Sequence, residues 1–261
     1  MMLLAILGFT LLLPAAAQTV KLTVACGDEE IREFGLVCDE DEPCPVYLEI
    51  AGVEPVGARL FAVGNLHTGT ATLWSLLMMS EDGGKVWTEP YPRQKSVAFD
   101  MVQFVDFENG WVSGHQAGSL ARDPFLLRTV DAGKTWRKIP LYRDSTVAFI
   151  EQFWFETKEQ GTLIVQRRGA GVGRYQRMET RDGGATWMMR EAGEDPIEGK
   201  RAKGAVSMNA DWRVRADAKA NQLRIEKREG RQWRAVAAFP LVAGRCEPRV
   251  VEDPVETEPP A

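Results

Sequence analysis

Along the middle of the chain, apolar and polar positions alternate in short runs of strand length. Val97-Ala98-Phe99 and Val147-Ala148-Phe149 recur 50 residues apart and lead into Gln103-Phe104-Val105-Asp106-Phe107 and Gln152-Phe153-Trp154-Phe155. A period of two over such a run is the mark of a half-buried strand. Further runs cover Leu73 to Met79, Phe125 to Thr129 and Tyr175 to Thr180, and others begin at Trp87, Trp136 and Trp187. Asn109-Gly110 and Gln160-Gly161 supply turn chemistry between them. Each unit therefore predicts four strands in the order A, turn, B, longer loop, C, hairpin corner, D, which is the size of a propeller blade. The pattern predicts an all-β, β-propeller-like fold with blades near 46–93, 94–143, 144–192 and 200–242. That gives about four four-stranded blades, with material for a fifth if the two ends of the domain contribute one.

The corners between C and D repeat most faithfully. Ser80-Glu81-Asp82-Gly83-Gly84-Lys85-Val86-Trp87, Thr129-Val130-Asp131-Ala132-Gly133-Lys134-Thr135-Trp136 and Thr180-Arg181-Asp182-Gly183-Gly184-Ala185-Thr186-Trp187 share the pattern [ST]-x-D-x-G-x-x-W. The aspartates lie 49 and 51 residues apart (131 minus 82, 182 minus 131). A short carboxylate at a turn accepts hydrogen bonds from the backbone N–H groups just ahead of it, and the hydroxyl adds another local bond. Gly84, Gly133 and Gly184 supply the positive φ of a tight corner. Trp87, Trp136 and Trp187 each bring a large ring back onto the hairpin. Asp82, Asp131 and Asp182 are accordingly expected to be structural rather than catalytic. Glu226 to Trp233 is a degraded fourth copy that keeps Gly230 and Trp233 but has Arg228 in place of the acid.

The ends read differently. Met1 to Ala17 is apolar and closes with Ala15-Ala16-Ala17, which fits an A-x-A cleavage site and predicts an export signal over 1–17. No Lys or Arg precedes the run, so a retained anchor is the alternative, although the run is marginal for a bilayer core of about 30 Å. No later segment could span a membrane, so a secreted or periplasmic location follows. Residues 18–45 are assigned to an N-terminal closing segment, 46–250 to the propeller, and 251–261, rich in Pro and Glu, to a disordered tail. Four cysteines in an exported chain suggest two disulfides, for which three connectivities exist. Cys38 and Cys44 flank a short acidic turn, which favours Cys38–Cys44 and leaves Cys26–Cys246 to join the ends of the domain. Zinc is disfavoured because the paired-cysteine spacing is absent and only His67 and His115 are available. The acidic run Asp39 to Glu42 lacks calcium-loop spacing and reads as a solvated loop.

With the repeats in hand, the sequence resembles the Asp-box (BNR-repeat) superfamily, whose members include sialidases, sortilin ectodomains, xyloglucan-degrading glycosidases and photosystem II assembly-factor propellers. The resemblance covers roughly 46–233. The segment Phe104-x-Asp106-x-x-x-x-Gly110-Trp111-x-x-Gly114 looks especially like the assembly-factor group. The resemblance implies a propeller and export, but no single activity, because one fold hosts many functions. Larger members have more blades than this chain can supply, so either a small ring or an arc closed by a partner is expected.

Candidate chemistry is sparse. A sialidase needs three arginines, a tyrosine nucleophile and acids; no early Arg-Ile-Pro-type motif occurs, and Arg59-Leu60-Phe61 does not qualify. A glycosidase needs two placed carboxylates, and no pair stands out among 37 acids. His67 lies 15 residues before Asp82 and His115 lies 16 before Asp131, both in the B-to-C region that propellers often use for ligands. The matching part of the third repeat holds Arg167, Arg168 and a glycine run from Gly169 to Gly173. His67, His115, Arg167 and Arg168 are therefore the candidate ligand-binding residues, with ordinary exposed loop positions as the plainer alternative. The glycine run does not match a nucleotide-binding pattern. No cofactor or metal is implied, and a net charge of -5 argues against a nucleic-acid partner. Residues 26–54 carry ten acids against one base, and 200–234 carry eleven bases against four acids. The two stretches are expected to attract each other where the ring closes. The leading reading is an exported, non-catalytic binding or scaffolding module with a protein or glycan partner, by default a monomer. The alternative is a carbohydrate-active enzyme with a deep cleft and paired acids.

Overall fold

The computed structural model describes residues 19–118, 122–141, 147–169, 171, 173–199 and 211–248. The proposed signal, the C-terminal tail and the start of the fourth blade lie outside the described residues. Four antiparallel sheets follow one another along the chain. The first contains β1 (Cys44–Val56), β2 (Arg59–His67) and β3 (Thr72–Ser80), with the last strand of the chain, β15 (Val242–Cys246), on the free edge of β1. The second runs β4 (Val97–Phe104), β5 (Gly110–Gln116), β6 (Arg122–Thr129), β7 (Arg137–Pro140). The third runs β8 (Val147–Phe155), β9 (Gly161–Arg167), β10 (Tyr175–Thr180), β11 (Met188–Gly193), in the same consecutive order. The fourth holds β12 (Trp212–Asp217), β13 (Gln222–Glu229) and β14 (Gln232–Pro240).

Two sheets depart from the expected A-to-D make-up: the first takes its fourth strand from β15, and the fourth shows three strands among the described residues. In the first, the D position makes only isolated bridges, Met79 with Thr88 and Trp74 with Lys95. Pro90 and Pro92 lie between those bridges and cannot donate to a ladder, so no regular strand forms there. In the fourth, three strands are described, and Thr19 forms a parallel bridge to Ala238 beside β14. The degraded corner is there a two-residue hairpin. Glu229 pairs with Gln232, and Gly230 takes φ 63° at the first turn position, as type II′ geometry requires. Without an aspartate to accept the N–H groups of the longer corner, the chain uses the shorter turn.

The N-terminal segment also holds an unanticipated helix, α1 (Asp28–Phe34). Its start is written locally: Asp28, Glu29 and Glu30 occupy the first turn, where the helix dipole favours acids, and Glu30 Oε2 accepts the Gly27 N–H at 3.2 Å. Gly35 ends it in the left-handed region at φ 61°, the usual stop signal.

Buried clusters tie the sheets together in sequence. One joins the first and fourth sheets through Leu48, Leu60, Leu76, Ile225 and Phe239. A second joins the first and second through Phe61, Val63, Phe99 and Phe104. A third joins the second and third through Trp111, Leu126, Phe153 and Phe155. The two inner interfaces repeat one device. Phe61 stacks on Phe104 at 4.2 Å, and Trp111 stacks on Phe155 at 3.7 Å. The backbone N–H of the same two phenylalanines is gripped by the preceding sheet: Glu54 Oε1 accepts from Phe104 at 3.2 Å and Gln103 Oε1 from Phe155 at 2.8 Å.

The expected attraction between the acidic and basic stretches takes another form. Glu30 and Glu33 meet Lys95, while Arg213, Arg224 and Arg228 pair with Glu226, Asp217 and Asp211 inside or beside their own sheet. Partners a few residues away on a neighbouring strand cost less order to recruit than distant ones. The first and fourth sheets meet instead through apolar side chains.

Candidate functional site

The three corners are built alike. Asp82 Oδ1 accepts the Lys85 and Val86 N–H groups, both at 3.0 Å, and the Ser80 hydroxyl at 2.9 Å. Asp131 Oδ1 accepts the Thr135 N–H at 2.9 Å and the Thr129 hydroxyl at 2.8 Å; Asp182 Oδ1 does the same with Thr186 and Thr180. The hydroxyls of Ser80, Thr129 and Thr180 in turn accept the N–H of Gly84, Gly133 and Gly184. All three carboxyls are held below their ordinary pKa. For Asp82 the Val86 N–H contributes most, and for Asp131 the Thr135 hydroxyl. For Asp182 burial pushes upward most strongly, and the bonds from Thr186, Thr180 and Ala185 together outweigh it. Trp87 and Trp136 donate their indole N–H to Gly84 and Gly133 carbonyls at 2.9 Å. The Trp187 indole nitrogen is buried without a partner. Asp131 and Asp182 direct both carboxylate oxygens into their own loops, and Asp82 directs Oδ1 into its loop.

Beside the third corner a cavity of about 440 Å³ is lined by Glu156, Gln160, Glu179, Thr180 and Arg181, and polar side chains are also open to ligands at the opposite end of the sheets. A cavity of about 710 Å³ opens between α1 and the loop ends of the first two sheets. Glu33, Phe34, Glu49, His67, Thr70 and Ser96 are among its lining residues. Its carboxylates are oriented from behind. Asn65, itself buried, donates to Glu49 Oε2 at 3.3 Å while gripping the Phe99 N–H and carbonyl at 2.9 and 3.2 Å. Glu33 Oε2 holds the Lys95 ammonium at 2.5 Å, and that bond, first among several, raises the Lys95 pKa. His67 lies against Tyr47, with ring centroids 5.8 Å apart, and its Nδ1 is 2.9 Å from the Thr68 carbonyl.

Of the four sequence-derived ligand candidates, this cavity takes in His67. His115 sits instead with Nδ1 3.0 Å from Asp100 Oδ2 on its own sheet. The two histidines are not structural equivalents. Gly64 and Gly114 both mark the bulge of the inner strand pair, and counting from them sets Asn65 opposite Glu49 where His115 stands opposite Ala98. The near-equal spacing to the corner aspartates hid that two-residue offset. Arg167 ends β9 and Arg168 follows it, exposed, at the loop end of the third sheet. Glu49, Asn65 and the threonines were not singled out from the sequence. Asn65 carried one weak signal, a polar residue inside the apolar run of β2.

A smaller cavity of about 270 Å³ lies on the third sheet, lined by Glu151, Gln152, Ile164, Tyr175, Pro196 and Ile197. Burial raises the Glu151 pKa, and the charge of Arg174 opposes the rise. Gln152 Oε1 is buried there without a hydrogen-bond partner. Among the described residues no group of three or more His, Cys, Asp or Glu is placed to hold a metal ion.

Sheets of this build, the repeated aspartate corners and the apolar joints between consecutive sheets define an all-β, propeller-like protein. In particular, the chain is 31% identical over 140 residues to the photosystem II stability/assembly factor HCF136, chloroplastic, of Arabidopsis thaliana. That match takes in 50% of this chain and 31% of the relative, so the chain spans under a third of that protein's length. No family model matches. Among solved structures, YCF48 bound to D1 peptide aligns with 18% identity and a TM-score of 0.36, over 76% of this chain and 54% of that one. A GH74 xyloglucanase from Xanthomonas campestris aligns with 15% identity and a TM-score of 0.38, over 71% of this chain and 28% of that one. The described cysteines form two disulfides, Cys26–Cys246 and Cys38–Cys44, which suits an oxidising compartment. No helix among the described residues is long and apolar enough to cross a membrane.

Proposed function

We propose that the chain is an exported, non-catalytic binding module that assists the assembly of another protein, and that the cavity beside α1 is its recognition surface. The observation that carries this reading is the absence of a second acid, among the described residues, beside the carboxyl whose pKa burial raises. Paired-acid chemistry requires a proton-donating carboxyl and a second carboxylate flanking one bond. Glu151, the carboxyl whose pKa burial raises, lines one cavity, where it is the single acid among the described residues. Glu33 and Glu49 line another, and they are engaged by Lys95 and Asn65. Hydroxyls, carboxylates and one aromatic ring around an open cavity suit recognition of a polar segment. The relative's name, a stability and assembly factor, supports a protein partner. The two disulfides and the apolar N-terminal run support export.

The test compares wild-type protein with Thr70→Arg, which fills the cavity from its rim. Both are probed on arrays of immobilised unstructured peptides and of glycans, and with chromogenic glycosides. Peptide binding that Thr70→Arg weakens at least about tenfold, or about 1.4 kcal/mol, without glycoside turnover, is the expected result. Turnover abolished by Glu151→Gln would replace this reading with the enzymatic one.

A further inference from the structure

Both disulfides converge on one rung of the first sheet. Cys44 of β1 and Cys246 of β15 are register partners, and each is bonded to the segment that carries α1: Cys246 to Cys26 before the helix, Cys44 to Cys38 after it. The helix is thus stapled at both ends to a single point of the sheet. Beyond them the segment is held by Leu36, buried in the first core just past the helix, and by partial contacts of the helix itself. None of its seven residues is fully buried. Phe34 makes an edge contact with Trp74 at 5.8 Å, and Ile31 packs partly against the first core. Lys95 bridges to Glu30 and Glu33 from an exposed position, where ion pairs contribute little. Yet this helix supplies Glu33 and Phe34 to the wall of the large cavity.

The two staples differ in access. Cys246 is fully buried, whereas Cys26, Cys38 and Cys44 are half-buried, so the Cys38–Cys44 bridge is open to attack at both sulfurs and the Cys26–Cys246 bridge at one. We infer that Cys38–Cys44 is a redox latch on the cavity wall: its reduction by a dithiol protein frees the C-terminal end of α1 and opens the recognition surface, while Cys26–Cys246 keeps the segment tethered. This rests on the cavity being the recognition surface. A thiolate of the dithiol attacks one sulfur of the bridge, and the other cysteine leaves as a thiolate that takes up a proton. The second thiol of the dithiol then displaces the mixed disulfide. The dithiol ends oxidised to a disulfide, and Cys38 and Cys44 end as two thiols.

The experiment uses the full chain and dithiothreitol as the dithiol. Alkylation and mass mapping identify a stage at which Cys38 and Cys44 are modified and Cys26–Cys246 is intact. Amide hydrogen exchange is followed over 28–36 and over β1 to β3 in the oxidised, partly reduced and C38S/C44S proteins. Exchange across α1 should accelerate at least about tenfold in both altered forms, with the strands unchanged. Unchanged exchange in α1, or protection lost across the sheets as well, overturns the latch. Simultaneous reduction of both bridges at every dithiol concentration does so too. The readout needs no ligand, so it is independent of the peptide arrays. If no peptide binds while α1 still loosens, the recognition reading fails and the latch stands.

Discussion

Gln103 reaches from the second sheet into the third and closes a two-way bond with the backbone of Phe155, donating through Nε2 to its carbonyl at 3.1 Å and accepting its N–H at 2.8 Å. Gln103 is buried, and the Phe155 ring is clamped against Trp111 at the same point. One residue therefore fixes both the register and the spacing of two neighbouring sheets. Gln103→Ala leaves a buried donor and a buried acceptor unpaired, each costing about 1–3 kcal/mol. A loss of about 2–4 kcal/mol in unfolding free energy by urea denaturation is expected. Gln103→Glu keeps the acceptor, as Glu54 does naturally for Phe104, but faces the Phe155 carbonyl with an acceptor. It should fall between wild type and Ala at pH 7.

The second prediction concerns Gly133, which is confined from two sides. Its φ of 82° disfavours any side chain, and a Cβ placed there would come within 2.4 Å of the Phe61 ring. Phe61 cannot yield, because it is buried and stacked on Phe104. Gly133→Ala combines about 1–2 kcal/mol of backbone strain with about 1–3 kcal/mol of overpacking. Gly35→Ala is the control: its φ of 61° is similar, but a Cβ there meets nothing within 4 Å. Thermal denaturation should show a clearly larger drop for Gly133→Ala than for Gly35→Ala. Equal drops would mean that the corner glycines are needed for φ alone.

The corner carboxylates predict an acid dependence. A carboxyl whose folded pKa lies below its unfolded value of about 3.9 contributes stability that is present above that value and lost as pH falls through the folded pKa. Asp82, Asp131 and Asp182 are all shifted in this direction by the turn donors around them. Stability should therefore fall below about pH 4, and Asp131→Asn should flatten that fall. Asn keeps one acceptor oxygen but loses the charge. Asp131→Ala removes the acceptor for Thr129 and for both Thr135 donors. It should cost about 1–3 kcal/mol at pH 7. Urea midpoints between pH 2.5 and 7 provide the check; a parallel acid slope in wild type and Asp131→Asn would refute the assignment.

Much of this architecture is written in local pattern. The three corners could be read because every bond in them lies within five residues of the aspartate, so the repeat carries the whole geometry. Strand order within the second and third sheets follows from hairpin connections for the same reason. The joints between sheets were not legible, since Glu54 and Gln103 act on residues 50 and 52 positions away and look like any polar residue in a strand. The helix α1 went unassigned within the acidic closing segment, although Gly27, the acids of its first turn and Gly35 together spell its start and stop. The histidine equivalence failed because spacing counted back from the corner aspartate runs through the B-to-C connection, which differs in the two sheets: His67 pairs with Thr72 across it in the first, and Gln116 with Arg122 in the second. The cavity beside α1 depends on five separate segments, and no one of them signals it.

Glu151 offers the last prediction, and it bears on the enzymatic alternative as well as on stability. Burial raises its pKa above the ordinary 4.5, with Arg174 pulling the other way. For a carboxyl shifted upward, the folded state binds the proton more tightly than the unfolded chain does. Its contribution is then neutral at low pH and becomes destabilising as pH rises from the unfolded value through the folded one. Glu151→Gln removes that charge while keeping the shape of the side chain. The variant should therefore be more stable than wild type at pH 7, and the difference should vanish toward pH 4. Paired denaturation curves at the two pH values decide the point. A catalytic acid held under strain would give the same stability gain, as active sites often do. The curves must therefore be read beside the glycoside assay. Stabilisation with no activity to lose marks Glu151 as an incidental buried acid, whereas Glu151→Gln that stabilises and also abolishes turnover would place an active site on the third sheet.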